Sequence, residues 1–208
     1  MVRHRVRIRF AKLADLRLIG HRDLMRCLER LFRRAGLPLG MSEGFHPKPR
    51  MTFPLALSVG IEGTDEVMEL ELAEPLSADE VLSRMQEHVP PGLVLRSVEV
   101  LPPRSRKAHV RSVSYQVPIP PQFRAGLPER IEHLLAGRCD PIARARQQAP
   151  LELRPLVEDL TLRAGTLRMR LRAGSQQSAH PRDVLSALGL GELEQEGVHL
   201  TRTAVEIH

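Results

Sequence analysis

The densest polar cluster of the chain is Ser42-Glu43-Gly44-Phe45-His46-Pro47-Lys48-Pro49-Arg50, and its residue types suit the binding of an anion. Proline at alternate positions forces an extended backbone, so His46, Lys48 and Arg50 are expected to point to one side as an anion clamp. The competing expectation is a stiff connector that fixes the helix before it against the strand after it. Upstream, Gly20-His21-Arg22-Asp23 opens a helix, where free backbone N–H groups and the macrodipole favour an anion beside Arg22. Asp23 fits equally well as a favourable first-turn charge, and His21 as a structural partner. His21 and His46 are weak candidates for an acid–base pair, since nothing in their spacing shows that they meet.

Two arginine ladders form a second group. Arg3, Arg5, Arg7 and Arg9 alternate with Val2, His4, Val6, Ile8 and Phe10, the period-two signature of a strand with one apolar face. Beside a strand over Glu66–Ala73, these arginines would share a face with Glu69 and Glu71. Two readings stay open: a lattice of cross-strand ion pairs, each contributing a fraction of a kcal/mol, or a polyanion-binding face made by the surplus arginine. Arg168, Arg170 and Arg172 alternate with Leu167, Met169 and Leu171, and their expected neighbour strand, with Ser112, Ser114 and Gln116, supplies no acid. That face is expected to be uncompensated. Phe10 and Tyr115 fall in the core-facing phase, which argues against base stacking on the sheets and leaves arginine contacts to phosphate and ribose as the expected mode.

Other chemistries find no support. Cys27 and Cys139 are isolated, so no CxxC array exists to hold zinc or an iron–sulfur cluster, and two reduced, packed cysteines are expected. There is no Gly-rich phosphate loop, HExxH or serine-nucleophile elbow, and the nine histidines are scattered, so neither metal nor cofactor is expected. No apolar run approaches the roughly 20 residues that span a bilayer, and the alternating N-terminus does not read as a secretory signal, so a cytoplasmic protein is expected. Net charge is +6, and residues 1–50 hold 13 Lys or Arg against 4 Asp or Glu while the remainder holds 18 against 21. The basic excess is therefore N-terminal and favours a polyanionic partner. Its bias toward arginine suits bidentate phosphate contacts, although a GC-rich genome would give the same bias.

Placing these residues requires elements in the order βαββαβ, read twice. The first set is a strand over Val2–Phe10, a helix over Arg22–Ala35 stopped by Gly36 and Pro38, and a strand over Met51–Ile61. A turn at Gly63-Thr64-Asp65, a strand over Glu66–Ala73, a helix over Ala78–Val89 capped by Ser77 and Glu80, and a strand over Leu93–Val100 complete it. The second set has strands at Val110–Ile119, Leu151–Leu156, Leu160–Arg172 and Val198–Ile207, with helices at Leu127–Ala136 and Pro181–Leu188. A length of 208 residues accommodates two small domains. The expected fold is α+β, tandem ferredoxin-like (βαββαβ) units with antiparallel sheets: 1–101, a linker over 102–109, and 110–208.

Gly20-His21-Arg22-Asp23-Leu24-Met25-Arg26, Arg33-Arg34-Ala35-Gly36-Leu37-Pro38, Ser42-Glu43-Gly44-Phe45-His46-Pro47 and Pro54-Leu55 resemble the DUF2344 family, the radical SAM-linked proteins. Gly174-Ser175, Pro181-Arg182 and Leu188-Gly189-Leu190 extend the resemblance over most of the chain. The positions it carries over are His21, Asp23, Ser42, Glu43, Gly44, Phe45 and Pro47, without an assigned role. Gly20 stands where the family pattern has serine and His46 where asparagine is common, so no hydroxyl or amide role carries over there. The resemblance implies a radical S-adenosylmethionine enzyme as partner, and the family's placement beside ribonuclease and ribosomal-protein genes implies RNA metabolism.

These readings converge on a non-catalytic accessory protein that binds structured RNA, tRNA or rRNA, for modification by that partner. One alternative is a metal-independent endoribonuclease, since tandem ferredoxin-like units also build CRISPR repeat-cleaving enzymes, although Gly189, Gly191 and Gly197 are too dispersed for the glycine-rich loop of that class. Another is a pure protein–protein docking module.

Overall fold

The computed structural model describes residues 4–142, 150–174 and 178–208. Val2, Arg3 and Ser175, singled out above, lie outside the described residues. The chain divides into two compact units, Met1–His109 and Val110–His208.

In the first unit, β1 (His4–Lys12), α1 (His21–Arg34), β2 (Met51–Thr52), β3 (Glu62–Leu72), α2 (Ala78–Gln86) and β4 (Leu93–Leu101) follow in that order. β1 pairs antiparallel with both β3 and β4, and β2 pairs antiparallel with β3. Alternation along β1 buries Val6, Ile8 and Phe10 against Leu24, Leu28, Leu31 and Phe32 of α1 and Val81 and Met85 of α2. Each such side chain contributes about 1.5–3 kcal/mol by leaving water, so this face holds the unit together. Arg5, Arg7 and Arg9, in the other phase, project from the opposite face. The expected cap of α2 is present: the Ser77 hydroxyl accepts from the Glu80 amide, and the Glu80 carboxylate accepts from the Ser77 amide.

Two expectations fail in this unit. The strand read over Met51–Ile61 is reduced to Met51–Thr52, because Pro54 has no N–H to continue a ladder and the chain turns at Val59-Gly60, where Gly60 is left-handed at φ 87°. The turn read at Gly63-Thr64-Asp65 is instead strand, with Gly63 opposite Lys12. A side chain at Gly63 would collide with Glu66, so the glycine serves close packing rather than a reversal.

The second unit runs β5 (Val110–Pro118), α3 (Leu127–Leu135), β6 (Val157–Arg163), β7 (Thr166–Arg172), α4 (Pro181–Ala187) and β8 (Thr201–Ile207). β5 lies between β7 and β8, and β6 pairs with β7, all antiparallel. Val113, Tyr115, Val117, Leu160, Met169, Val184, Leu185 and Val205 are buried. The single strand expected over Leu160–Arg172 is a hairpin, β6 to β7, turned by Ala164 and Gly165 at φ 47° and 74°. Left-handed values at both central positions suit the tight hairpin turn, and the apolar phase slips from Leu160 and Leu162 to Leu167 and Met169 across it. The strand expected over Leu151–Leu156 is only a bridge from Leu151 to Ile142 followed by a 3₁₀ turn over Arg154–Leu156, opened by Pro155. Both units are thus mixed α and β, with antiparallel pairing throughout each.

Candidate nucleic-acid interface

The Ser42–Arg50 segment is a hairpin-like loop anchored on β3. Gly40 donates to the Glu71 carbonyl at 2.8 Å and the Glu71 amide donates to the Arg50 carbonyl at 2.9 Å. Across the loop base, the Arg50 amide donates to Gly40 at 2.8 Å and the Ser42 amide to the Lys48 carbonyl at 2.8 Å. The Lys48 amide returns a bond to the Ser42 hydroxyl at 3.0 Å, and the Pro49 ring is buried. Gly44, at φ 116°, reverses the tip, where Glu43, Phe45, His46 and Pro47 are exposed. Arg50 is spent on the loop itself: its Nε donates to the Met41 carbonyl at 2.9 Å, and its guanidinium lies 3.5 Å from Glu43 and 3.9 Å from Glu71.

Lys48 and Arg50 therefore do not act as one clamp. Lys48 lines a cleft of about 400 Å³ with Arg22, Met25, Arg26 and Glu29 of α1. Arg50 lines another concavity with Arg5, Glu69, Glu71 and Lys107. The first cleft joins α1 to the loop, and Arg22 and Lys48 make no ion pair among the described residues. Along the same helix Arg26, Arg30 and Arg34 follow Arg22 at four-residue spacing, all exposed, covering roughly 18 Å of helix at 1.5 Å per residue. Arg26 lies 3.4 Å from Asp23, whereas Arg30 and Arg34, like Arg22, have no ion-pair partner among the described residues. This stripe was legible in the sequence as an i, i+4 repeat, but only Arg22 was singled out there.

The sheet arginines differ. Arg7 lies 3.0 Å from the buried Glu69 and 3.3 Å from Glu99, Arg9 pairs with Asp65, and Arg5 donates to the Ser105 and Arg106 carbonyls at 2.8 and 3.0 Å. Residues 102–109, expected as a linker, are in this way tied to the first unit's sheet. In the second unit, the face expected to be uncompensated is paired. Arg170 lies 3.0 Å from Glu158 and also pairs with Glu206, while Arg172 lies 3.4 Å from Glu158. The acids come from β6 and β8, whereas the expectation considered only the Ser112, Ser114 and Gln116 strand. Arg168, opposite Gln116 and Thr161, is exposed and has no ion-pair partner among the described residues.

Residues 5–181 match the family described as "Uncharacterized protein conserved in bacteria (DUF2344)". The chain belongs to the DUF2344 family. No curated protein matches it. Among solved structures it is similar, at 14% identity and a TM-score of 0.28 with 99% of both chains covered, to an unknown protein from Galdieria sulphuraria. It is similar at 11% identity and the same TM-score, over 100% of this chain and 99% of the other, to a protein provisionally described as a glycine cleavage system transcriptional repressor.

The seven positions carried over from the DUF2344 resemblance sit in two places. Ser42, Glu43, Gly44, Phe45 and Pro47 make the loop, and His21 and Asp23 lie in the first turn of α1. Asp23 is exposed there, where the helix dipole favours its charge. His21 stacks edge-on against Phe53 with ring centroids 4.9 Å apart, and its buried Nδ1 has no hydrogen-bond partner among the described residues. Burial, and then the fully buried Lys12 ammonium, which donates to Ile19, push the imidazole pKa below its ordinary value. His46 is on the exposed loop, so the two histidines expected as a possible pair occupy different environments. Cys27 and Cys139 are free thiols. Among the described residues, no helix is long and apolar enough to cross a membrane.

Proposed function

We propose that this DUF2344 protein is a cytoplasmic, non-catalytic accessory factor that binds structured RNA, a tRNA or rRNA, and presents it for modification to a radical S-adenosylmethionine enzyme. The observation that carries the RNA half is the row of exposed cations Arg22, Arg30 and Arg34 on α1, which make no ion pair among the described residues and are continued across a cleft by Lys48. A line of cations on a helix matches a line of phosphates, and binding of that kind is dominated by counterion release. The partner half rests on the family motifs and on the presence of only Cys27 and Cys139, too few to ligate an iron–sulfur cluster. We read each unit as a ferredoxin-like fold. Supporting this are two α-helices per unit among the described residues and the strand orders β4-β1-β3-β2 and β8-β5-β7-β6, with each first strand between the third and fourth.

A nitrocellulose-filter titration of tRNA and rRNA fragments at several salt concentrations tests this reading. Binding should weaken linearly in log–log form with a slope of about 0.7–0.9 per phosphate contact. Absence of salt-sensitive RNA binding, with and without the partner enzyme, would overturn it. Partner binding alone would make the protein a docking module.

A further inference from the structure

Phe45 stands apart from the other aromatic side chains. Phe10 and Phe32 are buried, and Phe10 and Phe53 pack edge to face, whereas Phe45 is 103% exposed at the tip of the Ser42–Lys48 loop. Exposing a whole phenyl ring to water is unfavourable, and a lone exposed ring at a loop tip has no core to support. The loop that carries it is closed at its base: Ser42 and Lys48 exchange two hydrogen bonds, and Gly44 adopts a left-handed turn at the tip. Lys48, three residues on in the same loop, lines a cleft with Arg22 and Arg26, and the acids nearby are engaged: Glu29 of that cleft pairs with Arg33, and Glu43 lies 3.5 Å from Arg50.

An aromatic ring beside a track of cations is the arrangement that holds nucleic acid by stacking a base while neutralising its flanking phosphates. A base inside a duplex is stacked on its neighbours and offers no free face. From this we infer that Phe45 stacks on an unpaired nucleobase, so that the RNA recognised has a loop, bulge or single-stranded end next to a backbone run that follows α1. The inference rests on the RNA reading above and narrows it to a substrate class. It also supplies what the sheets lack, since Phe10 and Tyr115 are buried and cannot stack a base.

The test uses the full chain and two RNAs of equal charge, a stem–loop with 2-aminopurine in its loop and a blunt duplex. The wild type should bind the stem–loop about tenfold more tightly, within the range of one base–aromatic stack, and quench the 2-aminopurine. Phe45→Leu should abolish both the preference and the quenching, and Phe45→Trp should retain both. Salt-sensitive binding of both RNAs with equal affinity and no quenching would overturn the stacking role and leave the RNA reading standing. Binding of neither RNA would overturn both. A preference retained by Phe45→Leu would assign the ring to apolar contact, and loss of a protein partner without loss of RNA would assign it to docking; either overturns the inference.

Discussion

Ser42 and Lys48 close the motif loop on itself, the Ser42 amide donating to the Lys48 carbonyl at 2.8 Å and the Lys48 amide to the Ser42 hydroxyl at 3.0 Å. Only the second bond needs the serine side chain, so Ser42→Ala is a selective cut. It should cost about 1 kcal/mol or less in global stability, since the site is solvated and a single neutral hydrogen bond is modest. Its larger effect should be on order in the loop: faster amide exchange at Lys48 and a several-fold weaker RNA affinity, seen by hydrogen exchange and filter titration. Unchanged exchange at Lys48 would refute the role of the hydroxyl.

Arginine on α1 and arginine on β1 should separate function from stability. Replacing Arg22, Arg30 and Arg34 together by Ala should lower the log–log salt slope of RNA binding by about 2–3 and leave urea unfolding close to wild type. Arg7→Ala removes the 3.0 Å partner of Glu69, whose side chain is 4% exposed. A buried carboxylate losing a charged donor is destabilised, here by about 1–3 kcal/mol, with Arg5 at 3.9 Å offering partial compensation. RNA affinity of that variant, compared where it is fully folded, should change little. The reverse pattern would return the binding surface to the sheet.

The second unit allows a similar contrast between neighbours in one strand phase. Arg170 is held by Glu158, Glu206 and the Ser112 hydroxyl, and Ser112 itself donates to Glu206 at 3.0 Å. Arg170→Ala should therefore cost roughly 1–2 kcal/mol by leaving this network incomplete. Arg168→Ala should lie within about 0.5 kcal/mol of wild type, as an exposed surface change does. Chemical denaturation of both variants decides it, and equal losses would contradict the network.

The environment of His21 gives a pH signature. Its folded pKa is lowered, first by burial and then by Lys12, so the unfolded chain binds a proton more readily as pH falls. The stability tied to neutral His21 should thus be fully present above the ordinary value near 6.5, decline as pH drops below it, and level off beneath the lowered folded value. His21→Phe keeps a ring for the edge contact with Phe53 and removes the titration. The stability difference between the two proteins should change across that window, measured by urea unfolding at stepped pH, and a constant difference would refute it. RNA remaining intact on incubation with wild type is the further expectation of a non-catalytic role; cleavage lost in His21→Ala would replace it.

Local pattern was enough for much of this protein. Period-two alternation placed Val6, Ile8 and Phe10 inward and their arginine neighbours outward, helical spacing placed α1, and Ser77 with Glu80 marked the start of α2, because each signal is carried within a few neighbouring residues. Family membership was likewise legible in the His21–Asp23 and Ser42–Pro47 motifs. Tertiary structure alone decided which cations stay free. Arg170 meets acids from β6 and β8, and Arg7, expected to share a face with Glu69, also meets Glu99 from the strand on its other side, so charge balance follows from strand register rather than from composition. It also decided that Lys48 faces α1 while Arg50 is consumed by the loop, and that Phe45 stands in solvent. Exposure and pairing depend on which distant segments become neighbours, and no local periodicity encodes that.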